Sequence, residues 1–330
     1  MSVEHPFAQY VRILGKGKTG SRSLNETEAQ QAMGMILRGD VEDVQLGAFL
    51  MLLRVKEESH EELAGFVKAA RDDISAPAIA VDIDWASYAG KRRQLPWYLL
   101  AALALADSGL RVFMHGAAGH TAERIYSEHV LASLGEAAAA NWQEVSDKLD
   151  QSNFAYLPLA HFSPVLQRMI DLRNQFGLRS PVHTLSRLLN PLSAPYSLQS
   201  IFHPAYAENH QRAAALLGQA HAAVFKGEAG EAERKPEALC KVKMVHNSEL
   251  SESEWPKLVD GRQEKLETLN IDDLIHAWRD DSVDEYGRLA ILGTIAIVIQ
   301  LRSPELDQQQ CLDQAADIWQ SRNRARLSPR

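Results

Sequence analysis

The character of this chain changes at Pro77, and that change constrains its fold more than any other feature. Before it, only helical patterns occur. Asn25 followed by Glu28 has the spacing of a capping box and opens a helix that Gly39 and Asp40 close. Residues 44–56 place Leu46, Phe49, Leu50 and Leu53 on one helical face. Ser59 with Glu62 repeats the capping box ahead of residues 63–71. After Pro77, short apolar runs alternate with helical ones. Residues 78–83 read as a strand, 97–108 as an alanine- and leucine-rich helix, and 110–114 as a strand ending at His115-Gly116. Residues 123–134 read as a helix, and 154–158, 197–202 and 222–226 as strands, with a helical insert at 164–189. Strand-helix alternation is the signature of a parallel sheet with helices on its faces.

The expected fold is therefore α/β: a small all-helical domain at 1–75, then a larger α/β domain at 76–330 with a mostly parallel central sheet flanked by helices. The insert, taken as 160–190, is expected to pack with the helical domain. Residues 227–236, charged and glycine-containing, read as a loop.

The chain has 330 residues, 45% hydrophobic and 24% charged, enough for a substantial core and unlike a disordered sequence. Its net charge of −8 excludes a uniformly basic nucleic-acid binder, though not a local basic face. Cys240 and Cys311 form no CxxC pair, and no HxxxH or HExxH spacing occurs, so no disulfide framework and no metal site is expected. Residues 1–10 lack the apolar core of a signal peptide, and the apolar stretch 289–301 is shorter than the roughly 20 residues that span a bilayer. A cytoplasmic location and no membrane partner are expected.

Three segments carry a resemblance. Residues 39–56 (GDVEDVQLGAFLMLLRVK), with Glu61-Glu62-Leu63-Ala64-Gly65, are similar to the N-terminal helical domain of anthranilate phosphoribosyltransferases and class II pyrimidine nucleoside phosphorylases. Arg173-Asn174-Gln175-Phe176-Gly177-Leu178-Arg179-Ser180, followed by Leu188-Leu189-Asn190-Pro191, resembles the family segment RxxLGxRT…LLNP. Residues 112–116 resemble the strand ending in KHG. Order and spacing agree over nearly the whole chain. The resemblance implies a helical domain, an α/β domain and a homodimer formed through the helical domain.

The departures cluster in the family's donor site. Its GTGGD loop falls on Ala86-Ser87-Tyr88-Ala89-Gly90, where Tyr88 brings a large side chain and only Gly90 remains of the glycines. NxST falls on Pro96-Trp97-Tyr98-Leu99, and proline lacks even an N–H. KHGNR becomes Met114-His115-Gly116-Ala117-Ala118, and the acidic pair that holds magnesium falls near Ala232-Glu233, leaving one carboxylate. Tyr88, Gly90, His115 and Gly116 thus mark a degenerate donor site, with no catalytic residue and no cofactor expected. Within the superfamily this pattern is similar to the YbiB-like branch, which carries a basic segment in place of the glycine loop and is associated with sequence-independent nucleic-acid binding.

The candidate binding residues are basic. Lys91, Arg92 and Arg93 stand where the phosphate loop would be, and read either as a phosphate-binding cluster or as a solvated turn. In the insert, Arg173 and Arg179 match family positions, Arg173 where the family meets its aromatic acid; His183 replaces the family's asparagine, and Arg187 follows one turn later. An ion-paired helix surface is the other reading of these. Lys16, Lys18 and Arg22 form a basic, glycine-containing loop, either gripping phosphates or simply solvated. Trp97 and Tyr98 suit base stacking or the core. Two functions follow: non-specific binding of DNA or RNA by a dimer through a basic cleft, or a glycosyl or phosphoribosyl transferase with an altered donor site acting on a nucleotide-like, phosphorylated substrate.

Overall fold

The computed structural model describes residues 4–261 and 266–327. Four helices come first: α1 (Ala8–Gly15), α2 (Glu26–Leu37), α3 (Asp43–Lys56) and α4 (His60–Asp73). Both capping boxes read from the sequence form, Asn25 with Glu28 and Ser59 with Glu62. Glu62 does more than cap. Its buried carboxylate accepts from Ser59 N at 2.8 Å, Leu24 N at 2.8 Å and Lys56 Nζ at 2.7 Å, joining three segments at one point. Helices α2 and α4 approach so closely that a Cβ on Gly65 would lie 2.3 Å from the Glu26 carbonyl.

The second part is a seven-stranded sheet. Its parallel portion is β1 (Ile83–Ser87), β2 (Val112–Gly116), β3 (Phe154–Pro158), β4 (Tyr196–Ile201) and β5 (His221–Lys226). An antiparallel hairpin, β6 (Cys240–His246) and β7 (Glu249–Trp255), completes it. The order is β3-β2-β1-β4-β5-β6-β7. Helices α5 (Trp97–Asp107), α6 (Ser127–Ser133) and α7 (Trp142–Ser152) connect the first three strands. The insert holds α8 (Leu159–Phe162), α9 (Pro164–Asp171), α10 (Arg173–Phe176), α11 (Val182–Leu185) and a 3₁₀ turn, Ser186–Leu188. Then come α12 (Tyr206–Leu216), α13 (Asp272–Asp280), α14 (Glu285–Arg302) and α15 (Gln308–Ser321).

The sheet separates two cores. On one face Trp85, Met114, Tyr156 and Leu198 meet α5, α13, α14 and α15. On the other, Ala86, Phe113 and Ala155 join the helical domain and the insert. This is the period-2 alternation of strands. The Arg71 side chain donates to the carbonyls of Leu189 at 2.7 Å and Leu188 at 3.0 Å, fastening α4 to the end of the insert. Among the described residues, no helix is long and apolar enough to cross a membrane.

Two expectations need correction. The strand expected at 78–83 begins instead at Ile83, where its neighbours Val112 and Tyr196 begin. Val81 and Ile79 spend their apolar surface on the helical side, and the strand itself carries buried Asp84 and Ser87. The helix expected at 123–134 is only Ser127–Ser133, because Ile125 is drawn into a β-bridge with Lys91. Residues 227–236 form the loop that was expected, and Glu231, Glu233 and Arg234 are buried in it. The hairpin of β6 and β7 went unread because its Lys and Glu residues looked like a mixed surface stretch. Their alternation with Val242 and Met244 is in fact a strand with one wet face.

Candidate anion-binding cleft

Connections from β1 run to β2 and β3 on one side, while β4 lies on the other. Such a reversal opens a crevice at the carboxyl ends of the strands, where ligands of open α/β sheets bind. The loop leaving β1 lines it. Gly90 takes a φ of +71°, and the Arg124 guanidinium donates to the carbonyls of Ala89 at 2.9 Å and Gly90 at 2.7 Å, holding the loop rigid. Gly116, at the end of β2, passes so near the loop that a Cβ would lie 2.0 Å from the Ser87 carbonyl.

The backbone donors of this crevice already have partners. Ala89 N and Gly90 N both donate to Glu231 Oε1, at 2.7 and 2.5 Å. Glu233 is the second internal anion. Its Oε2 accepts from Tyr98 N at 3.0 Å, in the first turn of α5, and its Oε1 pairs with Lys91 Nζ at 2.6 Å. A turn with two N–H groups on one side and an uncapped helix N-terminus are ordinary anion receptors. Here the chain supplies both anions itself. Burial pushes the Glu233 carboxyl up to about 7 despite the adjacent lysine, and pushes Glu231 up as well. The expected single carboxylate is thus corrected to two, Glu231 and Glu233 on either side of Ala232, both turned inward.

Lys91, expected to face a phosphate, is fully buried in this ion pair. Tyr88, Trp97 and Tyr98 are core residues: Tyr88 Oη lies 2.7 Å from His115 Nδ1, and Tyr98 Oη bonds Ser127 Oγ at 2.7 Å. His115 is fully buried, with Nε2 3.2 Å from Asp84 Oδ1, in a structural position between Phe113 and Phe162.

Basic groups gather on the insert side. Arg173 donates to the His120 carbonyl, Arg179 to Thr121 Oγ1 at 3.2 Å, and Arg187 to the Ser200 carbonyl at 2.7 Å. Among the described residues, no carboxylate forms an ion pair with Arg124, Arg173, Arg179 or Arg187. Burial first, and then Arg124, Arg187 and Arg173, push the Arg179 guanidinium down to about 10. His120 falls to about 3 for the same reasons, burial and then Arg179, and His183 also falls, through burial and then His120 and Arg179. Both imidazoles are neutral near pH 7. Arg187 also feels the Glu231 carboxylate, which opposes the downward push of burial, so the cluster is rich in guanidinium groups rather than free of negative charge.

The remaining candidates lie apart from this cluster. Arg92 pairs with Glu123 at an exposed rim that includes Arg93 and Leu266. Lys16 and Lys18 are exposed, and Arg22 is held by both oxygens of Glu28 at 2.6 and 2.7 Å. Lys56 Nζ, 3.0 Å from Ser23 Oγ, ties that loop to α3. So the structure unites Arg173, Arg179, His183 and Arg187, and sets Lys91, the Arg92–Arg93 rim and the Lys16–Arg22 loop elsewhere. Sequence reasoning missed Arg124, His120, Glu231 and Arg54. Only the Glu231-x-Glu233 spacing in a glycine-flanked loop hinted at any of them.

Comparison with known proteins agrees with this architecture. The profile described as "Glycosyl transferase family, helical bundle domain" matches residues 9–73, and that of its "a/b domain" matches residues 98–271. The uncharacterized protein YbiB of Escherichia coli (strain K12) is 26% identical over 72% of this chain and 76% of its own length. An anthranilate phosphoribosyltransferase of Ignicoccus hospitalis is 29% identical over 73% of this chain and 71% of its own. Among solved structures, the anthranilate phosphoribosyltransferase of Thermus thermophilus superposes with a TM-score of 0.81 at 19% identity, over 96% of this chain and 95% of that one. The Saccharomyces cerevisiae enzyme in complex with PRPP and Mg gives 0.76 at 18%, over 96% and 93%. The chain belongs to this glycosyl transferase family, that of the anthranilate phosphoribosyltransferases.

Proposed function

We propose that this chain keeps the phosphoribosyltransferase frame without its standard donor chemistry, and that it binds DNA or RNA through the basic cleft with little sequence preference. One observation carries the reading. Internal carboxylates satisfy the loop and helix donors, while among the described residues none of the four arginines of the cleft forms an ion pair with a carboxylate.

A pyrophosphate entering the post-β1 loop must first displace Glu231 from two buried hydrogen bonds. A magnesium ion needs carboxylate oxygens with free lone pairs. Glu231 Oε1 and both oxygens of Glu233 are engaged by Ala89, Gly90, Lys91 and Tyr98, which leaves Glu231 Oε2 alone without a hydrogen-bond partner among the described residues; a single free oxygen is a poor set for the metal, and no step is derived through it. Guanidinium groups hold phosphate oxygens without any metal, with bidentate geometry. The exposed bases Arg93, Lys16 and Lys18 extend the contact beyond the pocket. Phosphate contacts position a strand without reading it, which accounts for the lack of sequence preference. A homodimer through the helical domain belongs to the same proposal. Val44 and Val55, 78% and 84% exposed at either end of α3, are apolar surface that a second copy would cover, and light scattering checks that mass.

The second reading is a transferase with an altered donor site, acting on a nucleotide-like substrate. The cavity at the carboxyl end of β4 favours it. Fluorescence anisotropy with mixed-sequence single strands at low salt separates the two. The expected outcome is binding that is similar across sequences. Replacing Arg93, Lys16 and Lys18 with alanine then lowers the magnitude of the log–log salt slope by roughly 0.7 for each phosphate that the protein no longer neutralises. Absence of binding at low salt rejects the nucleic-acid reading in favour of the transferase.

A further inference from the structure

A cavity of about 140 Å³ lies between α3, the insert and the start of α12. It takes up the insert arginines on one side and departs from the donor loop on the other. Arg54, Arg179 and Arg187 line it, together with Ser180, His183 and Tyr206. Arg187 is 7% exposed and His183 5%, so the lining is built into the fold. Two of its polar atoms have no hydrogen-bond partner, Ser180 Oγ and His183 Nε2. Helix α12 begins at this cavity, and its N-cap, Ala205, supplies no side-chain acceptor for the first turn. The one carboxyl group in the lining, Glu58, is buried and shifted upward by that burial, with Arg54 opposing the shift, so a single carboxyl faces three guanidinium groups.

Charge, donors and size agree on one ligand chemistry. Three guanidinium groups against a single carboxyl suit a dianion better than a monoanion. A phosphomonoester carries about −1.5 to −2 at neutral pH, whereas an internal phosphodiester of a strand carries a single charge. The volume corresponds to about four to five waters at about 30 Å³ each, room for one tetrahedral oxyanion. We propose that this cavity is a receptor for a phosphomonoester group, either the terminal phosphate of a nucleic-acid strand or that of a free sugar phosphate. The strand-end form rests on the nucleic-acid reading above; the cavity chemistry does not.

The test compares one single-stranded oligonucleotide with a 5′-phosphate and with a 5′-hydroxyl by anisotropy, and titrates ribose 5-phosphate by calorimetry. The 5′-phosphate strand should bind about ten-fold tighter, the scale of one added charge-assisted hydrogen bond. Arg187→Gln should erase that difference. Because Arg187 also holds the Ser200 carbonyl, the exposed Arg54→Gln is the second variant and should narrow the difference without loss of folding. Equal affinity of both strands, with no heat from ribose 5-phosphate, refutes the receptor and leaves nucleic-acid binding standing. If neither strand binds but ribose 5-phosphate does, and Arg54→Gln weakens it, the receptor stands and the nucleic-acid reading falls. No binding of any of the three rejects both.

Discussion

Glu231 is the side chain on which the proposed function turns. Its carboxylate sits against two buried N–H groups that otherwise present themselves to a ligand. Alanine at this position leaves Ala89 N and Gly90 N without an acceptor. Each buried donor left unsatisfied costs about 1–3 kcal/mol, so Glu231→Ala should lose about 2–6 kcal/mol in urea unfolding. Millimolar inorganic phosphate should restore part of that loss by entering the vacated cradle. A variant as stable as the parent and indifferent to phosphate contradicts the role given to Glu231. The sequence offered little warning here. Nothing in the run of Glu228, Glu231, Glu233, Arg234 and Lys235 shows which of them are buried, because burial of a charged residue depends on a partner brought from more than a hundred positions away. The same reason put Lys91 on the wrong side of the surface.

Elements were more legible where their signals are local. The capping boxes at Asn25 and Ser59 fix two helix starts, and their side-chain bonds lie within four residues. The start of β1 was misplaced because strand pairing, not hydrophobicity, sets it. Polar Asp84 and Ser87 occupy the paired stretch, while the apolar run before it packs on helices. Packing of α2 on α4 gives the prediction at this scale. Gly65→Ala places a methyl group 2.3 Å from the Glu26 carbonyl and 2.7 Å from Ala29 Cβ, backbone and core that cannot yield cheaply. Overpacking of this kind costs typically about 1–3 kcal/mol. The urea midpoint should fall accordingly, and an unchanged midpoint would mean that the two helices sit farther apart than described.

At the scale of the whole molecule, element order pointed to a parallel α/β sheet behind a helical domain, and the family resemblance to the frame as a whole. Helices first, then strand-helix alternation with an insert before β4, left few arrangements with right-handed crossovers. The order β3-β2-β1-β4-β5 is one of them, and its switch point is where the cleft forms. Sequence motifs pointed to the frame and to the loss of its donor loop. They did not reveal what replaces that loop, because the replacement is a set of contacts between β1, α5 and the segment after β5. Glu231 and Glu233 fill the backbone donors of the post-β1 loop and of α5 from within, which is the ground for the proposal that standard donor chemistry is lost. The most direct measurement is pyrophosphate release from phosphoribosyl pyrophosphate by the pure protein with anthranilate and magnesium. A filled cradle predicts release no faster than in the protein-free control; sustained multiple turnover would contradict it.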